Sequence, residues 1–271
     1  TAGTSYSAGA SWLQGQSPLT VDYIAERISA LSLTDNSVNA LIPSRDPDKG
    51  AWGGYEGYEL NNIDTILALQ ALKAANYSDA TTINTALAYL TGSQNADGGW
   101  GFYFGGDSNV YMTALVSGIL QQFPQMTSIA TAVNKATSFL LAHQNIDGGF
   151  GSSPSTVYET ALAYSALVAV STNATILNNA INYLTGAQTS NGSWNDDPYS
   201  TALALKALYL SENKPVPPPP PPAGGKITGT VIDAITNQHL SGVAVVLDSN
   251  QLISTTTDAT GGFTLNDIQP G

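Results

Sequence analysis

One twelve-residue phrase occurs three times in this chain of 271 residues, and it limits the fold more than any other feature. It reads Tyr89-Leu90-Thr-Gly-Ser-Gln94-Asn-Ala-Asp97-Gly98-Gly99-Trp100, and again Phe139-Leu140-Leu-Ala-His-Gln144-Asn-Ile-Asp147-Gly148-Gly149-Phe150. The third copy is Tyr183-Leu184-Thr-Gly-Ala-Gln188-Thr-Ser-Asn191-Gly192-Ser193-Trp194. Gln and the closing aromatic stay six residues apart, and the closing aromatics Trp100, Phe150 and Trp194 are spaced by 50 and 44 residues. That is the period of a helical-hairpin repeat. Such units bury their apolar faces only by stacking, so the chain is read as an array.

A second phrase follows each closing aromatic. Asn62-Ile63-Asp64-Thr65-Ile-Leu-Ala-Leu has later counterparts in Val110-Tyr111-Met112-Thr113, Val157-Tyr158-Glu159-Thr160 and Pro198-Tyr199-Ser200-Thr201, each running into an Ala/Leu-rich segment. Small and apolar residues surround these segments, as expected of helices buried on nearly every side. The segments ending at Leu90, Leu140 and Leu184 carry more Asn, Thr and Lys, as partly solvated outer helices do. Upstream the pattern decays. Trp12-Leu13-Gln14-Gly-Gln16 reads as a worn outer-helix end, and Asp48-Lys-Gly50-Ala51-Trp52-Gly53-Gly54 as a worn turn. Residues 34–60 form a long connection of a kind that is often functional. About four hairpins are expected in residues 1–212.

At Lys214-Pro215-Val216 and the run Pro217 to Pro222 the composition breaks. A proline run of this kind adopts polyproline II and acts as a semi-rigid spacer, so residues 213–225 are expected to be a linker. Beyond it the period falls to two. Lys226–Ile232, Val243–Leu247, Leu252–Thr256 and Gly262–Leu265 read as four short strands. Asp233, Asn237, Asp248–Asn250 and Asp258–Gly262 supply their turns. Residues 226–271 are therefore expected to be a small antiparallel β-sandwich, lacking its last strands.

Composition excludes several functions. A net charge of −12 with 8 basic residues argues against nucleic acid and anionic membranes, which need clustered Lys and Arg. The absence of cysteine removes disulfides, thiolate metal sites, a cysteine nucleophile and a thioester together. No stretch approaches the ~20 apolar residues of a membrane span. Residues 1–10 lack the regions of a signal peptide, so export would imply a signal already removed. Charged residues make up only 10%, and the neutral, hydroxyl-rich remainder is typical of exported proteins.

The repeats resemble the prenyltransferase and squalene-cyclase repeat of the terpenoid cyclases. The resemblance is carried by the aromatic, Gln, Gly and Trp positions of residues from about 50 to 212. It implies an α/α toroid, six hairpins in the full fold, so this array of about four is expected to be a partial or open ring. The segment from Ile227 to Asp233 and on through Asp258–Phe263 resembles a carboxypeptidase regulatory-like domain. That module commonly decorates bacterial cell-surface proteins.

In terpenoid cyclases of this resemblance, the middle acid of an Asp-x-Asp-Asp motif protonates the substrate. Asn61-Asn62-Ile63-Asp64-Thr65 is the matching stretch, with Ile63 in the acid's place, and Ile63 cannot donate a proton. Protein prenyltransferases hold zinc with Asp, Cys and His. Here there is no Cys, and the two histidines, His143 and His239, lie in different domains. No metal or cofactor is expected. Gln94, Gln144 and Gln188 are open to two readings, as ligand contacts or as structural amides that bond the start of the next helix. Asp97, Asp147 and Asn191 are turn residues first.

The mouth of the arc remains. Tyr55, Tyr58, Tyr103, Tyr111, Tyr158 and Tyr199 lie with Glu56, Glu59, Asp64, Asp107, Glu159, Asp196 and Asp197 near the starts of inner helices. Aromatic faces beside carboxylates suit a glycan, a peptide or an apolar ligand, but the acids equally suit helix capping. The expected function is a non-catalytic binding or scaffold module of a secreted or cell-surface protein. The alternative is a toroid enzyme acting on polysaccharide through a carboxylate pair such as Asp64 and Glu159. An isoprenoid-acting enzyme and self-association through the open ends are further possibilities.

Overall fold

The computed structural model describes residues 2–31, 38–124, 126–213, 225–247 and 250–268. It separates into two compact units, and each is taken by itself: a helical unit (residues 1–123 and 131–217) and a second unit (124–130 and 218–271) that holds the strands.

Ten helices are present in the described residues. They are α1 (Ala2–Gln14), α2 (Val21–Leu31), α3 (Val38–Leu41), α4 (Asn62–Ala74) and α5 (Ala80–Gly92), followed by α6 (Val110–Leu120), α7 (Thr127–Ala142), α8 (Val157–Leu167), α9 (Ala174–Gly186) and α10 (Pro198–Glu212). The even-numbered helices pack side by side in chain order and form the inner layer, with the odd-numbered ones outside. That makes five helix pairs where about four hairpins were expected. The sequence hid the extra pair because its outer members are degenerate. Trp12 of α1, in the place that Tyr89, Phe139 and Tyr183 hold in the later copies, is exposed, and α3 is a single helical turn.

Local chemistry fixes where the inner helices begin. Asn61, Asn109, Thr156 and Asp197 each cap one, the side chain accepting the N–H three residues on. Apolar residues cover most of α4, α6 and α8, so these helices are enclosed, whereas α10 buries only Ser200, Ala204 and Ala207. The closing aromatics Trp52, Trp100, Phe150 and Trp194 sit at the centre of the packing, all almost fully buried. The turn at Trp52, read as worn, is therefore a full member of the series.

One threonine per inner helix locks each turn. Thr65, Thr113, Thr160 and Thr201 accept the backbone N–H of Trp52, Trp100, Phe150 and Trp194 at 2.9 to 3.1 Å. Thr65 and Thr160 also donate to the carbonyls of Asn61 and Thr156, at 2.8 and 2.6 Å. Each hydroxyl thus pairs a backbone donor that the turn would otherwise bury unmatched.

Among the described residues of the second unit, four strands form two antiparallel pairs. β1 (Gly225–Thr230) pairs with β4 (Gly262–Ile268), and β2 (Ala244–Leu247) with β3 (Asn250–Thr256). Asp233 and Asp258 make the expected turns, Asp258 accepting the N–H groups of Thr260 and Gly262 at 2.7 and 2.9 Å. The proline run and most of the Asp248–Asn250 turn lie outside the described residues. Among the described residues no helix is long and apolar enough to cross a membrane.

Candidate functional site

The inner helices share one frame, and the mouth of the array follows from it. Their second residues are Ile63, Tyr111, Tyr158 and Tyr199, and their third residues are Asp64, Met112, Glu159 and Ser200. The third residue is buried in every case, while the tyrosines are only partly covered. The Tyr111 and Tyr158 rings meet edge to face at 5.9 Å between centroids, and Tyr158 and Tyr199 follow at 6.5 Å. Three adjacent helices thus carry one continuous aromatic row. Burial, with the Tyr111 hydroxyl beside it, pushes the Tyr199 phenol far above its ordinary value.

The two carboxylates singled out as a possible catalytic pair sit in the third position of α4 and α8, with α6 packed between. Each is engaged by its own cap. Asn61 Nδ2 donates to Asp64 Oδ2 at 2.5 Å, and the Thr156 hydroxyl donates to Glu159 Oε2 at 2.7 Å. Glu159 also fills the space beside Gly151, where a Cβ would collide with its carboxylate. The pairing is side chain to side chain, because the backbone N–H groups of Asn61 and Thr156 are already taken by Trp52 O and Phe150 O. Asp64 differs in its surroundings. Burial raises its carboxyl above the ordinary range, the Asn61 amide opposes that rise, and the charge of Asp22 at the start of α2 adds to it.

Asp197 is the cap of α10, accepting the Ser200 N–H at 2.7 Å, and the Ser200 hydroxyl, together with that N–H, holds its carboxyl low. Tyr103, Asp107 and Glu59 are exposed. Tyr103 packs against Phe102, and Phe104 beside them is more exposed still, two aromatics that no repeat motif marks. Tyr55 and Tyr58 form a tilted pair 5.2 Å apart and line a separate cleft of about 540 Å³ with Arg45, Asp46 and Glu56. Residues 42–60 of the long connection contribute this cleft.

Each repeated glutamine donates to a carbonyl instead of accepting a helix-start amide. Gln94 Nε2 bonds Gly98 O in its own turn and Ala132 O of α7, both at 2.9 Å. Gln144 repeats this with Gly148 O and with Ile176 O of α9 at 2.9 and 2.8 Å. Asp97 and Asp147 accept the N–H of Gly99 and Gly149 and a serine hydroxyl, Ser108 or Ser155. Asn191 accepts the Ser193 N–H in the same way. His143 stacks on Phe139 at 3.9 Å.

Two concentric layers of helices, closed turn by turn on an aromatic, define an α/α toroid array. The chain belongs to the prenyltransferase alpha-alpha toroid domain family, which it matches over residues 13–195. The match reaches further upstream than the repeats legible by eye. Solved structures share the fold, among them these three. A protein from Actinoplanes is 19% identical, with a TM-score of 0.54 over 69% of this chain and 64% of that one. The ent-copalyl diphosphate synthase of Streptomyces platensis is 22% identical, with a TM-score of 0.56 over 72% of this chain and 41% of its own. Candida albicans protein geranylgeranyltransferase-I, complexed with GGPP, is 17% identical, with a TM-score of 0.55 over 72% and 68%. The chain therefore spans less than two thirds of the first two structures. No curated protein matches it by sequence.

Proposed function

We propose that the helical unit is a binding module for an elongated apolar ligand, received along Ile63, Tyr111, Tyr158 and Tyr199. The observation that carries this reading is the unbroken tyrosine row on three adjacent inner helices. Half-covered phenol rings offer apolar faces and a line of hydroxyls, which suits a chain with a polar head. The fold likeness to ent-copalyl diphosphate synthase and to the geranylgeranyltransferase complexed with GGPP favours an isoprenoid over a glycan or a peptide. Ile63, where a proton donor would stand, favours binding without turnover.

The test is a thermal-shift titration with geranylgeranyl diphosphate. Ligand at 100 times its dissociation constant adds about 2.7 kcal/mol, which at about 2 to 4 °C per kcal/mol is roughly 5 to 11 °C for a domain of this size. Tyr158→Ala should remove the shift, and an unchanged response would overturn the assignment.

A second reading has one observation of its own. Asp64 is a buried carboxyl held in its protonated form to higher pH than usual, with Asp22 nearby. An acid so placed can protonate an alkene. Product formation from geranylgeranyl diphosphate, abolished in Asp64→Asn, would establish catalysis in place of simple binding.

For the rest of the chain we propose the organisation expected from sequence: residues 1–212 as the array, 213–225 as a spacer and 226–271 as a carboxypeptidase regulatory-like β-sandwich. That modular order favours a secreted or cell-surface protein.

A further inference from the structure

The two central inner helices are covered on every side but one. Of α6, only Tyr111, Leu115 and Gly118 are not buried, and of α8 only Tyr158, Leu162 and Ser165. Steps of four and then three residues place each set on a single helix face. On α4 the same frame gives Ile63, Leu67 and Gln70, and on α10 it gives Tyr199, Leu203 and Lys206, all at least partly exposed. Three tiers therefore run across the inner layer. The first is Ile63 and the tyrosine row, the second is leucine on all four helices, and the third mixes small and polar residues.

Charge around the first tier has one sign. Asp64 and Glu159 are buried in the positions that follow Ile63 and Tyr158, Asp197 caps α10, and Asp22 stands in the first turn of α2, which packs on α4. The helix starts offer an anion little. In each, the N–H three residues past the cap is already accepted by Asn61, Asn109, Thr156 or Asp197. Among the described residues of the helical unit, the basic side chains are engaged or placed elsewhere. Arg27 donates to the Gln14 and Gln16 carbonyls, Arg45 to Thr85 Oγ1, and Lys73 to the Gln122 carbonyl at the far end of α6. Lys49 lies in the turn before Trp52, and Lys135 on the outer helix α7. Of these residues only Lys206 shares the exposed face, in the third tier, about 10 Å along α10 from Tyr199.

We infer that this face takes an apolar chain with an uncharged head, by class a long-chain prenyl alcohol, in preference to the matching diphosphate. The inference rests on the tyrosine row being the binding site, and it adds which head that site accepts. A diphosphate set at the first tier would leave water for a surface of carboxyl groups, with no cation to pair with. A hydroxyl head loses little there, because a phenol both donates and accepts a hydrogen bond. The chain then lies over the leucine tier, where every helix it crosses offers apolar surface.

Equilibrium dialysis of the whole chain against geranylgeraniol and geranylgeranyl diphosphate tests this, since the two differ only in the head. The alcohol should bind about tenfold more tightly or better. Tyr158→Ala and Leu162→Gln, each at a partly exposed site, should weaken both ligands, with far-UV circular dichroism confirming the fold. Added salt should strengthen diphosphate binding by screening the carboxyl groups, and leave the alcohol unchanged. Diphosphate binding that matches or exceeds the alcohol's, or that weakens with salt as a contact with Lys206 would, overturns the inference. The two variants then decide separately whether the tyrosine row is still the site. If neither ligand binds, the reading of the row as a binding site fails, and this inference fails with it.

Discussion

The indole Nε1 of Trp100 donates to the carbonyl of Leu90 at 2.7 Å, tying the turn's closing ring to the end of the outer helix before it. Trp52 with Leu41 and Trp194 with Leu184 repeat the bond at 2.8 and 2.7 Å. Helix ends leave carbonyls without partners, and here a buried ring satisfies one while filling the core.

Ring and bond can be separated at Trp100. Trp100→Ala should cost about 3–5 kcal/mol through the cavity it opens. Trp100→Phe should cost only about 1 kcal/mol for the lost bond, because the Ser93 hydroxyl also donates to Leu90 O. Urea unfolding followed by circular dichroism measures both. Equal losses would mean that the bond, not the ring, holds the turn.

The threonine clamp gives a sharper contrast. Thr113 is fully buried, and Thr113→Val leaves the Trp100 N–H unmatched. The loss should be about 1–3 kcal/mol, and Thr113→Ser should recover most of it.

Gly148→Ala and Gly192→Ala share the strain of a left-handed backbone, about 1–2 kcal/mol. Only Gly148 also has a carbonyl in the way, that of Asn179. Gly148→Ala should therefore be the more destabilising of the two, measured by urea unfolding. Equal effects would show that α9 yields freely.

Acid should weaken the array partly through Asp147, whose carboxyl is held low by the Ser155 hydroxyl and the Gly149 N–H. A depressed folded pKa gives stability that is complete above the unfolded value, about 3.9, and lost as pH falls through the folded one. Asp147→Asn keeps the acceptor, as Asn191 does in the last turn. It should leave neutral-pH stability nearly unchanged and flatten the acid limb of a stability–pH curve.

Asp64 should show the opposite sign. Its folded pKa is raised, so its contribution is greatest below the unfolded value and declines as pH rises through the folded one. Asp64→Asn removes that decline and should gain on the parent chain between pH 4 and neutrality. A constant difference across this range would mean that Asp64 titrates normally.

The layered architecture was legible because the phrase ending in Trp100, Phe150 and Trp194 states its period openly. The start of α8 was also written in the chain, since Thr156 stands three residues before Glu159, whose N–H it caps and whose carboxylate it meets. The partners of Gln94 and Gln144 were not legible. Their carbonyls lie 38 and 32 residues away, and only the register between neighbouring outer helices selects them. The first hairpin was legible only as a worn outer-helix end, and its Trp12, in the place that Tyr89, Phe139 and Tyr183 hold in the later copies, is exposed. The tyrosine row fell between these cases. Each residue was visible, but that Tyr111, Tyr158 and Tyr199 touch depends on how three helices are staggered.

The threonine clamps have a consequence for how the molecule is made. Their partners are separated by only 13, 13, 10 and 7 residues along the chain. Each turn can lock as soon as its own hairpin has left the ribosome, with the seam to the next outer helix added afterwards. Structure dominated by such short separations closes quickly. Order would then advance from one end, with each finished hairpin serving as the template on which its successor condenses.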